Sequence, residues 1–170
     1  MRKLIIEKTN RISRNRPELE KELKVKITKQ EKEIFINGNP EDEFIAEKVI
    51  EALNFGFPFQ TTLNLKNPEV MFEKINIKDY SKSKNLERIR ARIIGTKGRT
   101  LATLTQISHC AFELKNNKIG IIGNNENIKT AQDAIIALIQ GSKTSNVYSF
   151  IEKSKPQPIV DLGLKKDFKE

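Results

Sequence analysis

The sequence predicts an α+β chain built as two tandem β-α-α-β-β-α units, of which the first has lost a glycine turn that the second keeps. Three observations predict it. Residues Leu86 to Ser108 (LERIRARIIGTKGRTLATLTQIS) carry apolar residues at helical spacing on both sides of Ile94-Gly95-Thr96-Lys97-Gly98. Strand-like alternation precedes this pair of helices and follows it twice. The back half of that pattern also recurs 85 positions earlier in the chain.

The first unit, residues 1–66, opens with a strand over Lys3–Lys8. Next comes TNRISRNRPELEKEL, too short for a full first helix after that strand. Pro17 suits the first turn of a helix carrying Leu19 and Leu23, and Glu18 complements its positive end. Sliding the sequence by 85 positions pairs Ile34 with Ile119, Ile36 with Ile121, Gly38 with Gly123, Ala46 with Ala131, Ile50 with Ile135 and Leu53 with Leu138. Val25 and Ile27 fall opposite Cys110 and Phe112, so a strand pair and a closing helix are repeated. The front halves differ, because Asn10 and Ser13 stand opposite Gly95 and Gly98. A unit that keeps the fold without the glycine turn suits rigid spacing or protein docking. Its Arg11, Arg14 and Arg16 are either flexible phosphate contacts or a solvated basic loop.

Asn54-Phe55-Gly56-Phe57-Pro58-Phe59 joins the units. Its phenylalanines either stack on bases or pack into the joint, where burial at ~25 cal/mol per Å² would fix the angle between units. The second unit, residues 67–155, starts with a strand from Val70 to Tyr80 that alternates Phe72, Ile75 and Ile77 with polar neighbours. Leu86, Ile89 and Ile93 then share one helix face and Leu101, Leu104 and Ile107 another, with the four-residue Gly-x-x-Gly turn between. Alternation resumes at Cys110, Phe112 and Leu114, a turn follows at Lys115–Lys118, and a second strand runs from Ile119 to Ile122. A helix from Asn125 to Gln140 aligns Ile128, Ala131, Ile135, Leu138 and Ile139 and stops at Gly141. After a polar link, Val147–Lys155 reads as a short helix whose Tyr148, Phe150 and Ile151 pack back. Pro156 and Pro158 block regular structure, and the lysine-rich residues 156–170 are expected to form a flexible tail.

The glycine turn has a chemistry of its own. A glycine has no side chain to keep a polynucleotide backbone at a distance, and the helix that follows aims free N–H groups and its positive end at whatever lies over the turn. The chain carries 31 Lys and Arg against 22 Asp and Glu, a net charge of +9. A surplus of that size favours a polyanionic partner through counterion release. Between Ser81 and Arg99 stand Lys82, Lys84, Arg88, Arg90, Arg92, Lys97 and Arg99 against Glu87 alone, so the charge and the turn coincide.

The pattern Ile-Gly-x-x-Gly-x-x-Leu, in the order strand, helix, turn, helix, strand, strand, helix, resembles a type I KH domain over roughly Glu69 to Gly141. The whole chain then reads as two tandem type I KH-like units, the first degenerate and lacking its G-x-x-G loop. More narrowly, RIIGTKGRTLATLTQIS followed by GSKTSNVYSFIEK resembles the archaeal and eukaryotic partner-of-NOB family of KH-containing ribosome-assembly factors. That likeness lies in Gly98-Arg99-Thr100 and in Val147-Tyr148-Ser149-Phe150-Ile151-Glu152. The resemblance implies a clamp on about four nucleotides of single-stranded RNA. It also implies binding near the 3′ end of the small-subunit ribosomal RNA precursor, beside the maturing endonuclease. On this reading Gly95, Thr96, Lys97, Gly98 and Arg99 hold the backbone, and the Arg88–Arg92 face supplies charge. Ile94, Leu101 and Leu104 form an apolar floor for base faces, while the strand from Ala111 to Glu113 offers backbone groups to base edges.

Catalysis finds no support in the residues. His109 and Cys110, one imidazole and one thiol, do not build a metal site, and Cys110 alternates in phase with the core residues Phe112 and Leu114. No serine or carboxylate pair has catalytic spacing. The turn holding Lys97 and Arg99 lacks the longer glycine loop ending in Gly-Lys-Ser/Thr of nucleotide-binding P-loops. With a single cysteine, no signal peptide and no bilayer-length apolar run, the expectation is a soluble intracellular protein without disulfides, cytoplasmic or, in a eukaryote, nuclear or nucleolar. It is expected to be a non-enzymatic, cofactor-free and metal-free monomer that binds RNA and no membrane. Two alternatives stand beside it. One is an adaptor whose basic face holds an acidic protein, by resemblance the rRNA-processing nuclease. The other is an exosome-associated KH protein, a class that by likeness carries a five-strand barrel where this chain repeats a KH half.

Overall fold

The computed structural model describes residues 1–6 and 9–156. The first unit is ordered β1 (Arg2–Ile5), α1 (Asn10–Leu23), β2 (Lys26–Gln30), β3 (Glu33–Asn37) and α2 (Pro40–Phe55). Two-residue alternation turns Ile27, Ile34 and Ile36 inward, and β3 lies between antiparallel β1 and β2. Onto that face α1 and α2 bury Ile12, Leu19 and Leu23 with Ala46, Val49 and Ile50.

Helix α1 starts well before Pro17, which the sequence placed in a first turn. The Ser13 N–H donates to the Thr9 carbonyl at 2.9 Å, and Ile12 is buried. Burying Ile12 offsets a proline inside the helix, whose missing N–H and ring clash cost about 3 kcal/mol. Asn10 and Ser13 therefore lie in the opening turn of one continuous helix, and the first unit has a single helix where the second has two. The strand expected over Lys3–Lys8 ends at Ile5; Glu7 and Lys8 lie outside the described residues.

Helix α3 (Phe59–Leu63) and a 3-10 turn at Asn64–Lys66 lead into β4 (Val70–Asn76) of the second unit. This strand stops before Tyr80 because Asn76 Oδ1 accepts the Lys78 N–H at 3.2 Å and turns the chain into α4 (Ile77–Tyr80). There follow α5 (Leu86–Ile94), α6 (Arg99–Ser108), β5 (Ala111–Lys115), β6 (Lys118–Asn124), α7 (Asn125–Ile139) and α8 (Thr144–Ser154). Asn85 caps α5 by accepting the Arg88 N–H at 3.1 Å. Strand β6 is central, with β4 and β5 antiparallel to it, and the apolar faces of α5, α6 and α7 close over one side of the sheet. Val147 and Ile151 of α8 complete this second core, while Phe150 stays exposed. The tail expected over 156–170 lies, beyond Pro156, outside the described residues.

The other side of that sheet is covered by the first unit. Ile122 of β6 belongs to the first unit's core, and Val70, Phe72 and Ala111 pack against the same cluster. Phe55, Phe57 and Phe72 form a triad with ring centroids 6.0, 5.8 and 5.7 Å apart. A Cβ on Gly120 would lie 2.7 Å from Phe57 Cε2, so a glycine there is what lets the two joint phenylalanines reach β6. These rings fill the joint and are not base-stacking platforms. Lys115 Nζ adds a polar strut to the Asn54 carbonyl at 2.9 Å. No helix among the described residues is long and apolar enough to cross a membrane.

Candidate nucleic-acid interface

Helix α5 is amphipathic through Ile89 and Ile93, and it ends at Gly95, whose φ of 74° and ψ of 175° fall in a region open essentially to glycine alone. A Cβ there would also lie 2.1 Å from Thr100 Oγ1, so the bare backbone at Gly95 is what lets α6 begin so near the end of α5. Lys97 (φ 53°) and Gly98 (φ 73°) are both left-handed, and they turn the chain into α6. Gly98 differs from Gly95, since a Cβ there would meet nothing within 4 Å.

The Gly98 N–H donates to the Gly95 carbonyl at 3.2 Å and the Arg99 N–H to the Thr96 carbonyl. Thr96, Lys97 and Arg99 are exposed, and neither cation has a carboxylate within 4 Å among the described residues. The result is a bare shelf at the positive end of a ten-residue helix, flanked by two uncommitted charges. It fits a phosphodiester backbone.

The surroundings of the shelf depart from expectation at three positions. Successive residues of α5 turn by about 100°, so Arg90 and Ile94 lie on one flank of the buried Ile89–Ile93 stripe and Arg88 and Arg92 on the other. Arg90 reaches the Asn116 carbonyl in the β5–β6 turn at 3.4 Å. Arg92 instead lies beside Gly141 at the end of α7, and with Arg88 and Lys82 it lines a separate groove of about 630 Å³. The charge beside Ile94 is therefore Arg90, and the Arg88–Arg92 face belongs to another surface. Leu104 is 0% exposed, sealed in the second core beneath α6, so it touches no base. Ile94, 37% exposed, and half-buried Leu101 remain as the apolar flank.

Strand β5 pairs only with β6 among the described strands, so its other backbone edge is free for base edges. The side chains of Ala111 and Glu113 face the first unit. Ala111 packs on that unit's core, and Glu113 Cγ would be 3.1 Å from a Cβ on Gly56. Burial pushes the Glu113 carboxyl up from the ordinary carboxylate range, and the Arg11 charge works against it. These two residues thus offer backbone only. Arg11 itself donates to the Gly56 carbonyl at 2.6 Å and Arg16 pairs with Glu20, which makes both part of the first unit's framework.

His109 is an exposed left-handed residue at the end of α6, and Cys110 is buried, which pushes its thiol up. Among the described residues no three metal-capable side chains come together.

A family model described as a eukaryotic type KH-domain, KH-domain type I, and drawn for the second such domain of PNO1 matches residues 71–156. The RNA-binding protein PNO1 of Oryzias latipes is 34% identical over 109 residues, 62% of this chain and 45% of that protein. The pre-rRNA-processing protein pno1 of Emericella nidulans is 29% identical over 111 residues, 63% of this chain and 43% of that protein. The chain spans about half the length of the curated relatives it matches. A solved structure from Pyrococcus horikoshii OT3, of a complex of a/eIF2alpha, aDim2p and rRNA, superposes with a TM-score of 0.79 at 30% identity, covering 89% of this chain and 92% of that one.

Proposed function

The chain belongs to the PNO1 family of type I KH proteins, and on that premise we propose that it is a non-enzymatic RNA-binding protein of small-ribosomal-subunit maturation. One observation carries the clamp: the open Gly98 shelf at the head of α6, with Lys97 and Arg99 free beside it. A single RNA strand lies with its sugar-phosphate backbone on Gly98 and its charge on Lys97, Arg99 and Arg90. Its bases turn toward Ile94 and Leu101, and their edges meet the free backbone of β5. Aliphatic contact with edge readout selects a short unpaired segment.

The substrate proposed is the 3′ region of the small-subunit rRNA precursor, met by a monomer that needs no cofactor or metal. Relatives named for pre-rRNA processing and a neighbour solved with rRNA support that choice. Fluorescence anisotropy with single-stranded RNA tests the clamp: Gly98→Asp should lose binding while staying folded, and unchanged affinity in the folded variant overturns it. Crosslinking the RNA bound in cell extract and sequencing it tests the substrate, for which no enrichment at that 3′ region is the contrary result.

A second role, docking of an rRNA-processing endonuclease, is favoured by the first unit, which has no glycine turn and leaves Ile5 76% and Phe44 45% exposed. Competition separates the two surfaces: a protein partner held by the first unit stays bound when RNA is added.

A further inference from the structure

Beyond the β5–β6 turn the two units part around a cleft of about 480 Å³, between the C-terminal end of α2 and the strands β4 and β6. Lys74, Lys78, Lys115 and Lys118 line it against one carboxylate, Glu51. The one carboxylate and the helix-end carbonyl of this site are already engaged, while Asn54 Oδ1 is buried without a hydrogen-bond partner. Glu51 is paired with Lys74, and the Asn54 carbonyl, at the negative end of α2, accepts from Lys115 at 2.9 Å. Lys78 and Lys118 remain exposed, with no carboxylate within 4 Å among the described residues. A concave site with two uncommitted ammonium groups and its acids satisfied suits an anion.

This cleft adjoins the clamp. Arg90 stands on the Ile94 flank of α5, and the carbonyl it contacts belongs to Asn116, a residue of the cleft wall. A chain of positive charge therefore runs from the glycine turn past Arg90 to Lys118 and Lys78. We propose that the inter-unit cleft is a second phosphate subsite, in which an RNA strand leaving the clamp lays further phosphodiesters on Lys78 and Lys118. The inference rests on the clamp reading above. Continuity with a groove shaped for that backbone selects a nucleic acid over an acidic peptide. The first unit, although it has no glycine turn, thereby contributes a wall to the RNA path through Asn54 and Phe55.

The test uses the full chain and two single-stranded RNAs, of about four and about ten nucleotides, with anisotropy read over a series of salt concentrations. Wild type should bind the longer RNA more tightly. The Lys78→Ala, Lys118→Ala double variant should keep its affinity for the short RNA and lose about tenfold on the long one. Its salt slope on the long RNA should fall by about 1.4, for two phosphate contacts at about 0.7 each. Equal loss on both RNAs, or undiminished affinity for the long one, overturns the subsite; the latter leaves an acidic protein as the occupant. Failure of the clamp itself looks different, because then wild type binds neither RNA or Gly98→Asp still binds the short one.

Discussion

The hydroxyl of Thr100 occupies the space that any side chain at Gly95 would need, with a Cβ there only 2.1 Å from Thr100 Oγ1, whereas a Cβ at Gly98 meets nothing. The two glycines of one turn thus do separate jobs. Gly95 is required by the packing of α6 on α5, whereas Gly98 serves the turn by its left-handed backbone and leaves the space above it open. Gly95→Ala is expected to cost roughly 1–3 kcal/mol from its backbone angles alone, and more from the collision. Gly98→Asp should cost about 1 kcal/mol and lower affinity for single-stranded RNA at least about tenfold. Thermal melts and anisotropy on both variants check the division, and a Gly98→Asp protein that melts early and binds normally contradicts it.

Depth divides Ile94 from Leu104 in the same way. Leu104→Ala empties a fully buried site and should cost about 2–5 kcal/mol in urea unfolding. Ile94→Ala removes an exposed side chain, so its stability should change by less than about 1 kcal/mol while RNA affinity falls several-fold.

Arg90 and Arg92 are two residues apart and equally charged, but they serve different surfaces. Arg90→Ala should reduce the salt slope of RNA binding by about 0.7, the contribution of one phosphate contact on a single strand. Arg92→Ala should leave that slope unchanged. Equal slopes in the two variants would place the RNA elsewhere on α5.

At the joint, Gly120→Ala forces a methyl group into Phe55 and Phe57. Overpacking of this kind costs typically about 1–3 kcal/mol. The urea midpoint should fall accordingly, and hydrogen exchange should quicken in β6 and at the end of α2 together. Faster exchange in only one of them would mean that the joint does not couple the units.

Glu113 gives a pH dependence. Burial raises its folded-state pKa above the unfolded value, so the folded chain holds that proton more tightly. Its contribution to stability is full below the unfolded pKa and is lost as pH rises through the folded one. Glu113→Gln should therefore match wild type at the acid end of the carboxylate range and exceed it at neutral pH. Urea midpoints against pH decide this, and a wild type that is the more stable at neutral pH reverses the sign.

Much of this molecule was legible because its signals are local. The Gly-x-x-Gly between two amphipathic helices, the strand pair after it and the 85-residue recurrence of Gly38 at Gly123 depend on neighbours in sequence, and each has its counterpart in the structure. The misreadings needed the third dimension. Pro17 is an ordinary first-turn signal, and only the burial of Ile12 extends α1 past it. Asn76 ended β4 through a side-chain hydrogen bond that alternation does not report. The helical period places Arg88 and Arg92 opposite Arg90, but which flank borders the clamp depends on where the β5–β6 turn lies. Leu101 and Leu104 share a helix face in the sequence, yet α6 is set deeply enough that only one of them reaches the surface. That β6 presents Ile122 to the first unit has no local signature at all.

That last placement bears on how the chain can be handled by evolution and at the bench. Ile122 comes from the later half and completes the interior of the earlier one, so the halves are not interchangeable modules to be shuffled or excised. Severing them near residue 66 would expose a greasy panel around Phe72 and Ile122 on one fragment and a hollow on the other. Heat should accordingly melt the protein in one step. The half without a glycine turn thus shields from water the panel that the other half would otherwise expose.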